Sequence, residues 1–250
     1  MKPAQVRDVF ERLQARNPHP VTELEHSSPF ELLVAVILSA QATDKGVNIA
    51  TRKLFPVANT PAQILALGTD GLTDYVKSIG LYPAKVKNIL ATCQLLLDKH
   101  GGEVPRDRAA LEALAGVGRK TANVVLNSAF GMPTMPVDTH IFRVSNRLGL
   151  ARGENPRAVE DGLLRVIPPE YLLHAHHWLL LHGRYVCTAR SPQCPRCPLV
   201  DLCPYKDKTL PLPSALPFAA NEAPAKARRA AAPRKSPARK KPASKARSKR

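Results

Sequence analysis

The chain has 250 residues, with 37 Lys and Arg against 20 Asp and Glu, so its formal net charge is +17. Such an excess of cations favours a polyanionic partner, most simply nucleic acid. The longest apolar run, residues 32–38, is much shorter than the roughly 18 residues that a membrane span needs, and residues 1–13 lack the apolar stretch of a signal peptide. We therefore expect a cytoplasmic chain that does not enter the membrane.

Much of the positive charge lies in residues 211–250, which contain twelve Lys or Arg residues and a single acid, Glu222. This segment is rich in Pro and poor in large apolar residues, so it can neither form long helices nor bury a core. We predict a disordered basic tail. Two roles remain open for it, a contact with DNA and a solubilising extension.

The remaining residues predict an all-α body of about ten helices, because apolar residues recur at helical spacing and period-two alternation is absent. The predicted helices cover, in chain order, residues 6–13, 29–40, 47–55, 61–67, 70–78, 83–97, 108–114, 120–130, 139–148, 156–166 and 171–185. Histidines at positions 174, 176, 177 and 182 lack a carboxylate that would complete a metal site. We expect them to be structural or to face DNA.

The sequence Leu-Ala-Gly-Val-Gly-Arg-Lys-Thr-Ala at residues 114–122 joins two of these helices through a Gly-x-Gly turn. Gly116 and Gly118 permit positive φ and a close approach by another backbone. Amides of the turn and of the next helix N-terminus can bind a phosphate oxygen, which suits contact with the DNA backbone without reading of the bases. A plain helical hairpin whose glycines serve only packing is the alternative.

Lys120 follows this turn, where the helix N-terminus, Arg119 and partial desolvation would all disfavour its ammonium form. A neutral amine there can attack an electrophilic sugar carbon and form a Schiff base. Asp138 precedes a helix that starts near Thr139, and its carboxylate can cap that helix. Close to Lys120, it could also accept a proton or stabilise positive charge on the sugar. A phosphate-binding lysine and a purely capping aspartate are the alternatives.

Four of the five cysteines, Cys187, Cys194, Cys197 and Cys203, fall within 17 residues in the spacing C-x6-C-x2-C-x5-C. In a reducing compartment this crowding indicates a metal or cluster site rather than disulfides. The thiolates alone do not distinguish zinc from an iron–sulfur cluster, although zinc ribbons usually contain two C-x2-C pairs and this segment has one. The fifth cysteine, Cys93, is expected in the core.

The Gly-x-Gly hairpin, Val-Asp-Thr-His at 137–140 and His-Gly-Arg-Tyr at 182–185 together resemble the endonuclease III family of helix-hairpin-helix DNA glycosylases. Ser-Ala-Gln-Ala-Thr-Asp at 39–44 and Gly-Leu-Tyr at 80–82 are also similar to segments of that family, in the same order. The resemblance covers about residues 5–208. One departure is Ala115, where relatives usually have Pro, which should loosen the entry to the hairpin slightly.

The resemblance assigns roles to individual residues. It implies that Lys120 is the catalytic amine, that Asp138 is the catalytic aspartate, and that the four cysteines hold a [4Fe–4S] cluster, in either a structural or a redox role. It also implies that Leu81 and Gln41 fill the space left when a nucleotide leaves the duplex. The remaining DNA contacts are expected from Gly116, Gly118, Arg119, Thr121, His140, Arg184 and Arg190. Relatives often have more basic residues between the first two cysteines of the loop, where this chain has only Arg190.

The family resemblance also implies a two-lobed architecture. We expect one lobe at residues 22–132 and a second that joins residues 1–21 to 133–210, followed by the tail at 211–250. The implied function is a monomeric, bifunctional DNA glycosylase and AP lyase of base excision repair, located at the bacterial nucleoid. It would remove oxidised pyrimidines from double-stranded DNA and cleave the abasic site by β-elimination. An adenine glycosylase relative and a non-catalytic, DNA-binding or redox-sensing iron–sulfur protein are the alternatives.

Overall fold

The computed structural model describes residues 1–209, and the predicted basic tail at 211–250 lies outside these described residues. Residues 1–209 form ten α-helices and one short 3₁₀ helix without any strand, which confirms the predicted all-α class. In chain order the helices are α1 (Pro3–Arg16), α2 (Pro29–Ser39), α3 (Asp44–Leu54), α4 (Pro61–Val76), α5 (Tyr82–His100), α6 (Arg108–Glu112), α7 (Arg119–Phe130), α8 (Thr139–Leu148), α9 (Pro156–Val166) and α10 (Pro169–Tyr185), and the 3₁₀ helix is Cys194–Arg196.

Local sequence signals set most of the helix ends. The hydroxyl of Ser28 accepts a hydrogen bond from the Glu31 amide at the start of α2, and Thr43 caps α3 in the same way. Gly101, with φ +60°, ends α5 in the left-handed conformation that favours glycine. The fourth helix contains a break at Gly68, whose φ of +65° and ψ of −171° separate two helical stretches. The prediction of two helices at 61–67 and 70–78 is therefore confirmed.

A first cluster of buried apolar residues comes from α2 to α7. Its centre is α2, whose run from Leu32 to Leu38 is at most 4% exposed and which packs against α3, α5 and α7. A helix that is apolar on every side has to be surrounded by other helices, and this is the arrangement observed. Cys93 belongs to this cluster, as predicted, and burial raises its pKa to about 12.

A second buried cluster combines α1 with α8, α9 and α10. Phe10 of α1 stacks on Tyr171 at 5.8 Å between ring centroids and lies 6.3 Å from Trp178, both on α10. The N-terminal helix therefore packs with residues more than 160 positions later in the chain. Two clusters agree with a two-lobed body, while the exact boundaries at residues 22 and 132 stay a prediction. Within residues 1–209, no helix is both long and apolar enough to span a membrane.

Candidate functional site

The Gly-x-Gly segment forms a tight hairpin between α6 and α7. Gly116 has φ +74°, and a Cβ at this position would lie 2.7 Å from Nδ2 of Asn88 on α5, so only glycine fits. The hydroxyl of Thr92 donates a 2.9 Å hydrogen bond to the Ala115 carbonyl oxygen, which fixes the turn on α5. Gly118 is exposed and begins α7 with extended backbone. In the described part of the chain no side chain caps α7, so its first amides are available to an anion.

Lys120 is the second residue of α7, and its side chain is exposed. The sequence predicted that this amine is partly shielded from water. In the chain without DNA it is instead exposed, because Lys120 lies in the first turn of α7 beside the open hairpin. Thr121 is half-buried one residue further on. The hairpin and the amine consequently face solvent together, at the end of a helix whose remaining turns are buried.

Asp138 is half-buried at the start of α8. Its Oδ1 accepts hydrogen bonds from the amides of His140 and Ile141 at 2.9 and 2.8 Å, which makes it the N-cap of α8. Within the described residues, Oδ2 accepts no hydrogen bond from the protein. One carboxylate oxygen is thus held by the helix, while the other can interact with a ligand.

His176 connects the segment before Asp138 with the neighbourhood of Lys120. This buried residue of α10 has its Nδ1 2.9 Å from the Pro136 carbonyl oxygen, which requires a proton on Nδ1 and supports the segment that leads to Asp138. Burial is the largest of the causes that together lower the pKa of His176 to about 3, and the nearby positive charges of His177 and Lys120 contribute.

Gln41 and Leu81 share an unusual backbone conformation. Their φ values of +53° and +59° are the positive ones among the non-glycine residues of 1–209. Left-handed backbone is unfavourable for leucine and is retained where the surroundings enforce it. Leu81 is also 60% exposed, which is unusual for a large apolar residue. Lys85, which is almost fully buried, donates from Nζ to the Gly80 carbonyl oxygen at 2.7 Å and so fixes the peptide that precedes Leu81.

The arginines predicted to contact DNA differ in their surroundings. Arg184 on α10 pairs with Glu23 and with Oδ2 of Asp44, the latter at 2.7 Å. The guanidinium of Arg119 pairs with Glu160. Arg190, between the first two cysteines of the loop, is exposed. DNA contacts by all three remain predictions, and two of the three guanidinium groups already have carboxylate partners.

An open cavity of about 790 Å³ is lined by Ala42, the residue after Gln41, and by residues of α3, α8 and α10. His140 at the start of α8 and Arg184 with Tyr185 at the end of α10 form one side, while Asp44 and the rest of the N-terminal half of α3 form the other. Its dimensions exceed those of a nucleobase, and its walls offer both cations and carboxylates for hydrogen bonds. The cavity can therefore accept a polar, planar group.

The four cysteines of the C-terminal loop form no disulfide and line one small cavity. Burial raises the pKa of Cys197 to about 12 and also raises that of Cys203, so their thiolates need a strongly cationic partner such as iron. Among the described residues, no three Cys, His, Asp or Glu side chains are arranged to hold a single metal ion. Four sulfur ligands around one cavity are nonetheless the donor set of a metal ion or an iron–sulfur cluster. The expected ligands are Cys187, Cys194, Cys197 and Cys203.

Two arginines of α8 hold this loop, and the sequence did not reveal them. Arg147 donates from Nη1 to the Thr188 carbonyl oxygen at 2.7 Å and from Nη2 to that of Ala189 at 2.9 Å. The same Nη1 lies 3.5 Å from the Cys187 sulfur. Arg143 donates from Nε to the Cys187 carbonyl oxygen at 3.0 Å. Their spacing of four residues on one helix was visible, but nothing in the sequence identified loop carbonyls as their partners.

Comparison with known proteins agrees with this geometry. Residues 34–169 match the HhH-GPD superfamily of base excision DNA repair proteins, and residues 187–203 match the iron–sulfur binding domain of endonuclease III. Endonuclease III of Haemophilus influenzae is 64% identical over 201 residues, which are 80% of this chain and 95% of the relative. Endonuclease III of Escherichia coli K12 is 62% identical over 208 residues, which are 83% of this chain and 99% of the relative.

A solved structure of a trapped endonuclease III–DNA covalent intermediate has a TM-score of 0.77 and 47% identity, and the match covers 82% of this chain and 96% of that one. The chain therefore belongs to the helix-hairpin-helix superfamily of base excision DNA repair proteins. Within that superfamily it belongs to the endonuclease III family, as a DNA glycosylase and AP lyase that carries a [4Fe–4S] cluster. The predicted fold, enzyme class and cofactor are thereby confirmed.

Proposed function

We propose that the enzyme removes oxidised pyrimidines from double-stranded DNA and that Lys120 and Asp138 carry both steps of the reaction. The observation that carries this proposal is the exposed amine of Lys120, directly after a hairpin whose amides are free to bind a phosphate. A phosphate bound at the hairpin would bring the adjoining sugar within reach of this amine. Gly116, Gly118 and Thr121 would contact the DNA backbone there.

In the first step, the lone pair of the Lys120 amine attacks C1′ of the damaged nucleotide. The bond between C1′ and the base breaks, and the base leaves with the bonding electrons and takes up a proton. Asp138 stabilises the positive charge that develops on the sugar and accepts the proton released by the amine. The sugar ring then opens, and C1′ is joined to Lys120 as a Schiff base.

In the second step, the imine draws electrons from C2′, which loses a proton. The electrons of that C–H bond form a C=C bond between C2′ and C3′, and the 3′ phosphate leaves. Water finally hydrolyses the imine and releases Lys120. The [4Fe–4S] cluster holds the loop of residues 187–203 in shape, so that Arg190 can approach a phosphate, and it takes no part in these steps.

Access to the base requires that the nucleotide leave the duplex. We propose that Leu81 enters the resulting gap and that Gln41 bonds the partner base that remains. Their positive φ values and exposure support this assignment, because each side chain projects from a turn instead of packing on a helix. The 790 Å³ cavity lined by Ala42, His140 and Arg184 would receive the extruded base.

The relatives that match the chain are bacterial, and we propose that this enzyme acts as a monomer at the nucleoid in the cytoplasm. Light scattering of the purified holoenzyme tests the first part, with an expected mass near 27.3 kDa. A mass near twice that value would overturn it. Fluorescence imaging of a tagged chain that coincides with DNA staining would support the second part, and exclusion from the stained region would contradict it.

Borohydride trapping on duplexes with a single oxidised pyrimidine tests the proposed chemistry. The wild type should form a covalent adduct and nick the strand, and Lys120→Ala should do neither. Lys99→Ala, which removes an exposed lysine at the far end of α5, should trap like the wild type. Base release without a nick or adduct would refute the Schiff-base mechanism. Release of adenine instead would favour the adenine glycosylase alternative, and binding without release would favour a non-catalytic protein.

A further inference from the structure

The α7 helix has a polar face that the proposed chemistry does not use. Arg119, Asn123 and Asn127 follow one another at intervals of four residues and therefore share one side of the helix. Apolar residues on its other sides belong to the first buried cluster. The polar face instead contacts elements of the second cluster, because Asn127 donates from Nδ2 to the Leu173 carbonyl oxygen of α10 at 3.0 Å.

The first turn of this face makes a two-pronged ion pair with α9. Arg119 donates from Nε to Oε2 of Glu160 at 2.9 Å and from Nη2 to Oε1 at 2.8 Å. Asn123 donates from Nδ2 to the same Oε1 at 3.1 Å. The Glu160 side chain is only 5% exposed and Asn123 is fully buried, so water does not compete for these bonds. Such parallel, charge-assisted hydrogen bonds fix orientation as well as distance.

This ion pair links the helix that carries Lys120 to the helix that packs beside α8. Arg119 is covalently next to Lys120 in the first turn of α7, and Glu160 belongs to α9, which packs on α8. The N-terminus of α8 is capped by Asp138. A shift of α7 relative to α9 would therefore change the separation of the amine from the carboxylate.

We propose that Arg119 is a positioning residue, whose ion pair with Glu160 fixes Lys120 relative to Asp138. This inference rests on the proposed roles of Lys120 and Asp138. It differs from a phosphate contact by Arg119, because a guanidinium that binds both oxygens of a buried carboxylate has its charge compensated within the protein. Glu112 of α6, whose Oε1 lies 4.0 Å from Nη1, adds a second carboxylate on the remaining side.

The test is single-turnover borohydride trapping by the holoenzyme on a duplex with an abasic site, with enzyme in excess. Glu160→Gln keeps the size of the side chain and removes its charge. We expect the trapping rate constant to fall about 10- to 100-fold, as for a misplacement of about 1 Å, while the DNA dissociation constant changes less than about twofold. Arg119→Lys keeps the positive charge but not the fork, and it should show the same slow trapping.

Arg12→Ala serves as the structural control. It breaks a two-pronged pair between Arg12 and Asp8 within α1, together with the bonds of Arg12 to the Pro198 carbonyl oxygen and to Asp201 of the C-terminal loop. Its thermal midpoint should fall, but its trapping rate should stay within about twofold of the wild type. If Arg12→Ala slows trapping as much as Glu160→Gln does, the Arg119–Glu160 ion pair only stabilises the fold in general, and the proposal is wrong.

Further outcomes separate the positioning role from the other possibilities. Trapping by Glu160→Gln at the wild-type rate refutes the positioning role alone and leaves the Schiff-base mechanism intact. Two results together would show that Arg119 is a phosphate contact and that the proposal is wrong. These are trapping by Arg119→Lys at the wild-type rate, and DNA binding by Arg119→Ala whose salt dependence corresponds to about one fewer released counterion. If the wild type does not trap, the proposed function fails and this inference fails with it.

Discussion

Truncation of Arg147 to alanine should lower the stability of the iron–sulfur loop more than the removal of a surface charge does. The guanidinium donates to two loop carbonyls, those of Thr188 and Ala189, and stacks 4.5 Å from the ring centroid of Tyr205. Hydrogen bonds from a charged donor contribute about 1.5–3 kcal/mol each, and a partly exposed cation–π contact about 0.5–1 kcal/mol. Because one carbonyl is exposed and can bond to water, we expect a loss of about 3 kcal/mol.

For a chain of this size, such a loss lowers the thermal midpoint by about 6–12 °C. Circular dichroism at 222 nm would follow unfolding, and visible absorbance with iron analysis would follow the cluster. Arg157→Ala is the matched control, because within residues 1–209 Arg157 pairs only with Asp161, one turn further along α9 on the surface. Arg147→Ala with full iron content and a midpoint within about 2 °C of Arg157→Ala would refute the reasoning.

Three further predictions concern buried histidines and close-packed glycines. The folded pKa values of His176 and His177, about 3 and 4, lie below the ordinary value of 6.5, so the unfolded chain binds more protons as the pH falls below 6.5. Because burial also lowers the pKa of His182 to about 4, the free energy of unfolding in urea should be about 4 kcal/mol lower at pH 5.5 than at pH 8, and His176→Gln should remove about a third of that difference. Equal stability at both pH values would contradict this. Gly183→Ala would place a Cβ 2.9 Å from the Cβ of His140 on α8, so we expect the free energy of unfolding to fall by about 1–3 kcal/mol and borohydride trapping to be at least tenfold slower. Trapping at the wild-type rate would contradict this, because α8 could then move without affecting the site. Gly116→Ala should lower the free energy of unfolding by a similar amount. Gly118→Ala has open space around its Cβ, so it should keep the wild-type thermal midpoint and lose only DNA affinity. Equal thermal midpoints of the two variants would argue against the tight hairpin.

Short-range features of this chain could be predicted well from its sequence. The helix α8 begins at the capping Asp138 and ends before Gly149, as its residue types indicate. The break at Gly68 and the helix-hairpin-helix turn are likewise properties of a few adjacent residues. The cysteine ligands can be predicted in the same way, since their spacing is itself the signal, and their role stays a prediction.

Side-chain partners distant in sequence could not be predicted. Arg119 pairs with Glu160, which lies 41 positions later in the chain, and Arg184 pairs with Asp44, which lies 140 positions earlier. The sequence predicted both arginines as DNA contacts, and this role stays a prediction. Whether a cation faces DNA or a carboxylate depends on how helices pack, and helical periodicity specifies only which side of a helix is apolar.

The packing of α1 on the end of the body has a consequence for biosynthesis. Phe10 rests on Tyr171, and Arg12 donates to the Pro198 carbonyl oxygen at 2.9 Å and to Asp201 at 2.7 Å. The partners of α1 are thus available only when nearly all of residues 1–209 have been translated. The buried residues of the first cluster end at Leu126, so this cluster can form before the partners of α1 have been translated. The docking of α1 and the closure of the cysteine loop therefore both depend on residues 198–201 and take place in contact with each other.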